Sequence, residues 1–292
     1  MTTSTENDEK FVYVLYHYTP TLPGAIVAFS IFAILTSLHL WRLIHNRARY
    51  FIAFTIGGVF QLVGYGFRIW SHFNKENVLP FAMQNAYILL APALYAASIY
   101  MILGRLIRTC HAEHLSLIRV EWVTRIFVGG DIAAFSIQAS GGSMAMSSFK
   151  LFKIGEKVVI AGLFVQVLIF GFFVCTTVLF HRRILSTPTE ITLQGALPWQ
   201  RHLYVLYSTS GIILVRSIFR IVEYMEGNGG FLVSHEVFLY IFDTLLMIAV
   251  MGICLVWYVG DLESKKQSKE RYQRQPNMST EDSLELGVQP QK

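Results

Sequence analysis

Seven apolar runs of about twenty residues dominate this chain, each long enough to cross a hydrocarbon layer ~30 Å thick. They fall at about 22–44, 50–72, 79–105, 122–145, 157–180, 202–224 and 235–258. Inside hydrocarbon, backbone N–H and C=O groups need partners within the segment itself or in a closed barrel, so runs of this length are helices. Composition agrees. Of 292 residues, 53% are hydrophobic and 15% charged, where a soluble domain carries about 25% charged. The expected fold class is all-α: a polytopic membrane protein of seven transmembrane helices. Residues 22–259 would form the membrane domain. A short N-terminal tail, 1–21, precedes it. A polar, disordered tail, 260–292, follows, too poor in apolar surface to fold.

Orientation follows from where the cations lie. The loops after the first, third and fifth runs hold or adjoin Arg42, Arg47, Arg49, Arg105, Arg108, Arg119, Arg125, Arg182, Arg183 and Arg201, and the final tail adds Lys265, Lys266, Lys269, Arg271 and Arg274. The opposite side holds Lys10, Lys75, Lys150, Lys153 and Lys157. The positive-inside bias puts the N-terminus outside and the C-terminus in the cytosol. The net charge of +5 thus reports topology and not nucleic-acid binding. Trp41, Trp70, Trp122, Trp199 and Trp257 stand near the ends of runs, as interfacial anchors do. The acidic start, "MTTSTENDEK", has no basic region leading into an apolar core, so no cleaved signal is expected. The sequon at Asn277 falls in the cytosolic tail and should stay unmodified. Cys110, Cys175 and Cys254 form no C-x-x-C pair and are read as reduced packing residues.

The informative residues are the polar ones within these runs. The second run carries Gln61, Tyr65 and Arg68, the fourth Asp131 and Gln138, the sixth Arg216, Arg220 and Glu223, and the seventh Glu236, Tyr240 and Asp243. Each set spans seven residues, two helical turns on one face and about 10 Å of helix. An ionisable group near a helix centre costs at least about 2.5–3.5 kcal/mol even on the lenient insertion scale, so such groups face the bundle interior and find partners. Counting ~1.5 Å per residue from the helix ends brings Arg216 and Asp243 to one depth. Arg216 is expected near Asp243 and Arg220 near Glu236 or Tyr240, with Asp243 the partner of Arg216 or Arg220. Arg68 and Glu223 fall at the same outer level, with Asp131 in the cytosolic half. Two explanations stay open: the pairs fix helix register, or the stripes converge on a polar cavity.

Other chemistry is poorly supported. His235 and Asp243 stand about 12 Å apart along a helix, too far to share a metal. His39 is read as a packing residue, and His111 and His114 as solvated loop residues. There is no H-E-x-x-H and no Gly-rich phosphate loop. No metal or other cofactor is expected.

Five stretches occur in order: "GGVFQLVGYGFR" (57–68), "LLAPALYAASIYMILGRLI" (89–107), "VGGDIAAFSIQASGG" (128–142), "RSIFRIVEY" (216–224) and "HEVFLYIFDTLLM" (235–247). Together they resemble the fungal lipid-translocating exporter family, over about 20–260. The resemblance implies seven spans, a fungal plasma or internal membrane, and resistance to toxic lipophilic amines or sterols. The positions matching its pattern are Arg68, Gln84, Pro92, Asp131, Gln138, Arg216, Arg220, Glu223, His235, Glu236 and Asp243. Gln61 departs from it, since an acidic residue is expected four before Tyr65. The expected activity is movement of an amphipathic lipid, such as a sphingoid long-chain base, at the plasma membrane. Asp131, Gln138, Glu223, Glu236, Tyr240, Asp243 and Gln61 would take an ammonium and hydroxyls. Arg68, Arg216 and Arg220 would tune the carboxylates or hold a phosphate. Membrane lipids are the expected partners. A seven-helix sensor of lipophilic ligands and a membrane-embedded lipid hydrolase are the alternatives.

The topology is testable directly. Epitope tags at Thr2 and Lys292 should be protected on opposite sides of the membrane, with Lys292 cytosolic; protection of both from one side removes the seven-span arrangement.

Overall fold

A computed structural model of the chain describes residues 21–46, 49–73, 78–147, 149–189, 199–227 and 230–257. Every regular element among them is helical. Helix α1 is Leu22–Asn46, and a 3-10 turn at Arg49–Phe51 leads into α2, Ile52–Phe73. Then come α3, Val78–Thr109; α4, Val120–Ser147; α5, Phe149–Ser186; and α6, Trp199–Glu226. After a single turn at Phe231–Ser234, α7 covers Glu236–Val256. The expected tails lie outside the described residues except at Thr21, as do Lys10, Lys75 and Asn277.

Neighbouring helices in the chain pack side by side, α7 returns to α1, and α3 also touches α6. That makes α3 the central helix. Its most apolar window is 61% buried, against 28% for α1 and for α5. Pro92 lies inside α3. The outward faces are apolar and uncovered: Trp41, Ile44, Leu168 and Trp70 are among the large exposed side chains. Such a surface needs a lipid environment. Six helices are long and apolar enough to cross a membrane. The seventh expected span, α4, is 28 residues long but less apolar. It carries Glu121, Arg125 and Asp131 and many Gly and Ser residues.

Helix α5 begins well before the expected boundary at 157. Lys153 falls before the expected run and Lys157 at its first residue. Both sit on an extended first part of a 38-residue helix. At ~1.5 Å per residue that helix is about 57 Å long, more than a bilayer core needs. Long lysine stems can lie along such a helix with the ammonium outside the apolar layer.

The α4–α5 pair is held by glycines. A Cβ on Gly155 would stand 2.5 Å from the Gly141 carbonyl oxygen and 2.6 Å from the Ala145 nitrogen. A Cβ on Gly141 would be 2.7 Å from both the Gly155 oxygen and the Val159 nitrogen. These are backbone atoms and cannot swing aside, so only glycine allows this approach. Two turns along the seam, a Cβ on Gly162 would stand 2.7 Å from Gln138 Cγ and 3.0 Å from the Ala134 carbonyl oxygen and the Gln138 nitrogen.

Gly155→Leu and Gly141→Leu should each destabilise the protein by at least about 1–3 kcal/mol, read as a lowered melting midpoint in detergent. Gly142→Ala, with nothing within 4 Å of its Cβ, should melt as the parent does. A parent-like Gly155→Leu would refute the close crossing.

Candidate functional site

The carboxylate of Asp243 lies between two guanidinium groups. Arg216 Nε donates to Oδ1 at 2.6 Å and Arg220 Nη2 donates to Oδ2 at 2.8 Å. Arg220 Nη1 donates to Glu223 Oε2 at 2.9 Å, one turn along α6. Arg216 Nη2 donates to the Ile88 carbonyl of α3 at 3.1 Å. The side chains of Arg216 and Asp243 are each 1% exposed. Such a pair holds only with good geometry and further hydrogen bonds, and here one carboxylate and one carbonyl tie α6 to both α7 and α3.

A second pair extends the network. Arg68 Nη2 donates to Glu236 Oε1 at 2.5 Å. Glu236 also accepts from the Thr21 backbone N–H at 2.9 and 3.1 Å and from the Tyr240 hydroxyl at 3.2 Å. The Arg68 guanidinium lies 5.6 Å from the Tyr240 ring centre. Gly24 lets α1 close over that ring, since a Cβ there would be 2.8 Å from Tyr240 Cζ. Asp243 pairs with both Arg216 and Arg220, each an expected partner. The expected placement of Arg220 at Glu236 or Tyr240 is not found: Arg220 takes Asp243 and Glu223, and Glu236 belongs to Arg68.

The reason lies in α7. Residues Tyr240–Leu245 form a π-helical turn, wider than the α-helical spacing the sequence reading assumed. Asp243 and Thr244 are both buried. Asp243 faces the arginines of α6, and Thr244 shares a hydrogen bond with Tyr65 of α2. Two consecutive residues thus serve two different helices.

The remaining predicted residues are not bonded to this network. Asp131 accepts from the Tyr100 hydroxyl at 2.9 Å, and Tyr100 packs among Phe127, Phe170 and Phe173. Its other oxygen, Oδ1, is buried with no partner among the described residues. Gln138 donates to Gln166 of α5 at 2.9 Å. Gln61 is buried, and its Oε1 finds no donor among the described residues.

An aromatic layer separates the two polar levels. Along α3, Tyr95 lies seven residues and Tyr100 twelve beyond Ile88, about 10 and 18 Å along the axis. Tyr95 is fully buried against Phe54, with its hydroxyl 3.3 Å from Met251 Sδ. His39 is likewise buried in packing, with Nε2 3.0 Å from the Met251 carbonyl oxygen and its ring against Phe54. His235 contacts the Phe231 carbonyl and ring at the break before α7.

Several partners escaped sequence reading. Gln166 was detectable as the one amide in the fifth apolar run. Tyr100, Thr244 and Thr21 carried no such signal, and the Ile88 carbonyl is invisible to any residue pattern.

Membrane-length helices with arginine–carboxylate pairs sealed between them define a polytopic helical membrane protein with a charged interior. Within that class, the chain belongs to the RTA1-like family: residues 54–266 match the family described as RTA1 like protein. It is 35% identical over 278 residues to protoporphyrin uptake protein 1 of Saccharomyces cerevisiae, covering 82% of this chain and 90% of the relative. Protein RTA1 of the same yeast is 34% identical over 269 residues, 84% of each chain. The sphingoid long-chain base transporter RSB1 is 25% identical over 276 residues, 82% of this chain and 72% of the relative. No solved structure matches.

The geometry ranks the consequences of mutation. Asp243→Asn should destabilise by about 3–5 kcal/mol, because it strands buried cations. Arg220 would keep Glu223, whereas Arg216 would keep only a carbonyl. Adding Arg216→Met to Asp243→Asn should therefore restore folded yield and melting temperature more than adding Arg220→Met. Equal rescue by both, or by neither, would contradict the bridging geometry.

Proposed function

We propose that this protein is a seven-span translocase of amphipathic lipids, with its N-terminus outside, its C-terminus cytosolic and the plasma membrane as its site. The observation that carries the reading is the buried network of Arg68, Arg216 and Arg220 with Glu223, Glu236 and Asp243. Ionisable groups at this depth mark substrate pathways more often than passive structure. The resistance to lipophilic compounds implied by the family resemblance would follow from export.

Helix packing supports the seventh span. Asp131 of α4 meets Tyr100 of α3, Phe127 meets Phe173 of α5 edge to face, and Gly141 closely approaches Gly155 farther along. A helix flanked along its length by two membrane-length helices shares their crossing. It can then carry polar residues that lipid would not tolerate.

Substrate class draws on the relatives. One is named for a sphingoid long-chain base and another for protoporphyrin. Both cargoes are largely apolar molecules with ionisable groups, of opposite charge. A network holding both guanidinium and carboxylate groups can address either sign. For a sphingoid base, Glu236 and Glu223 would meet the ammonium on one side of the aromatic layer and Asp131 on the other. Gln138, Gln61 and Tyr240 would offer hydrogen bonds to hydroxyls. Two sites of moderate strength favour passage, because a ligand must also leave.

The test is reconstitution of the full chain into liposomes with a fluorescent sphingoid base. Asp131→Asn and Glu236→Gln should each slow movement across the bilayer by on the order of tenfold, the scale of one lost charge contact, at equal reconstituted protein. Gln61→Leu, which removes only a neutral group, should slow it less. Full movement in both acidic variants makes those residues structural, and binding without movement by the parent chain turns the assignment to a sensor.

A further inference from the structure

A cleft of about 330 Å³ opens between the end of α3 and the start of α4, lined by Tyr50, Met101, Gly104, Arg105, Arg108, Val120 and Thr124. It is remote from the charge network: Arg105 lies seventeen residues beyond Ile88 on α3, about 25 Å along the axis. Two of the described lining residues are arginines and none of the described ones is a carboxylate. Glu113 and Glu121, the acidic residues adjacent in sequence to these two helix ends, are exposed and are not among the lining residues.

The arginines are arranged for a ligand that is both anionic and partly apolar. Arg105 and Arg108 are three apart on the last turns of α3 and so share a face. The Arg105 guanidinium lies 4.1 Å from the centre of the buried Tyr50 ring, which holds it against the protein. Thr124 adds a hydroxyl, and Met101 and Val120 add apolar wall. Gly104 keeps the floor open. A Cβ there would sit 3.6 Å from Val120 Cγ1, so an alanine just fits and any longer side chain fills the cleft.

The level of the cleft points to lipid. Trp122, half exposed, stands two residues from Thr124 on the same turn of α4, with Ile126 and Leu117 also exposed nearby. Tryptophan settles at the headgroup level of a bilayer, and basic pockets between membrane helices at that level hold phosphate headgroups. We propose that this cleft binds the phosphate group of an anionic phospholipid, the headgroup between Arg105, Arg108 and Thr124 and the acyl chains outside against α4. By the orientation proposed above, that lipid comes from the cytosolic leaflet. The site is separate from the cargo network and does not depend on what the protein moves.

The experiment uses the purified full chain exposed to equal phosphatidic acid and phosphatidylcholine, with retained lipid read by native mass spectrometry. The parent protein should retain phosphatidic acid preferentially. Arg105→Gln with Arg108→Gln should cut that preference by about tenfold or more, given the strength of two cationic contacts at a headgroup. Arg182→Gln, an exposed arginine elsewhere, should leave it unchanged. Gly104→Leu should abolish retention with both arginines present; with the exposed Arg108→Gln it decides the matter even if loss of Arg105 prevents folding. Unaltered retention in Gly104→Leu and Arg108→Gln overturns the proposal. So does displacement of the lipid by millimolar inorganic phosphate, which would make this a site for the free anion.

Discussion

A guanidinium and a carboxylate at membrane depth cannot be left to themselves, and the fold is organised around that fact. Arg216 and Asp243 are both sealed from solvent. Removing either charge from water costs several kcal/mol even after relaxation, and mutual attraction offsets this only when every remaining donor is also satisfied. The Ile88 carbonyl takes one of the remaining Arg216 donors, and Arg220 takes the second oxygen of Asp243. The central helix α3 is therefore pinned to α6 through its backbone. Helix α7 is fixed against α6 through Asp243 and against α2 through Arg68–Glu236 and Tyr65–Thr244. Register, which apolar packing against lipid specifies weakly, is set here by charge.

The packing that surrounds this network is of another kind. Between α4 and α5 the close approach depends on absent side chains, at Gly141, Gly155 and Gly162, and dispersion replaces electrostatics. The buried polar residues of α4 are only partly satisfied, Asp131 by Tyr100 and Gln138 by Gln166, and each keeps one oxygen without a partner among the described residues. The protein thus has a charged half, on α2, α6 and α7, and a close-packed half on α4 and α5. Helix α3 contributes to both.

Helix positions were legible because apolar run length is a strong signal, and most described ends fall within a few residues of the runs. The misjudged start of α5 shows its limit: lysines look like a loop although they can extend a helix into the headgroup region. Pairing was legible where both partners lay on regular helices of known direction, as with Arg216 and Asp243. The placement of Arg220 beside Glu236 or Tyr240 failed, although its pairing with Asp243 held, because the π-helical turn at Tyr240–Leu245 changes the angular spacing within α7. No residue type announces such a turn. Neither does sequence separate a continuous polar path from two polar levels, since Tyr95 and Phe54 look like any other aromatic residues in an apolar run.

The charge count of the network constrains how any cargo can use it. Among the described residues three arginines face three carboxylates, so their charges balance. A cationic head group arriving there has no idle carboxylate; it must share one with a guanidinium or displace it. The three acids differ in access. The side chains of Glu223 and Glu236 are 13% and 9% exposed, that of Asp243 only 1%. Under the proposed function, sharing would begin at Glu223 and Glu236 and would reach Asp243 only if α6 and α7 shifted. Asp131 is different, since one of its oxygens already lacks a protein partner among the described residues. A ligand bound there satisfies a buried acceptor instead of competing for one. Under the proposed function the two levels would thus demand opposite things of the same cargo: at Asp131 it would complete the structure, and at the arginine network it would loosen the contact that holds three helices together.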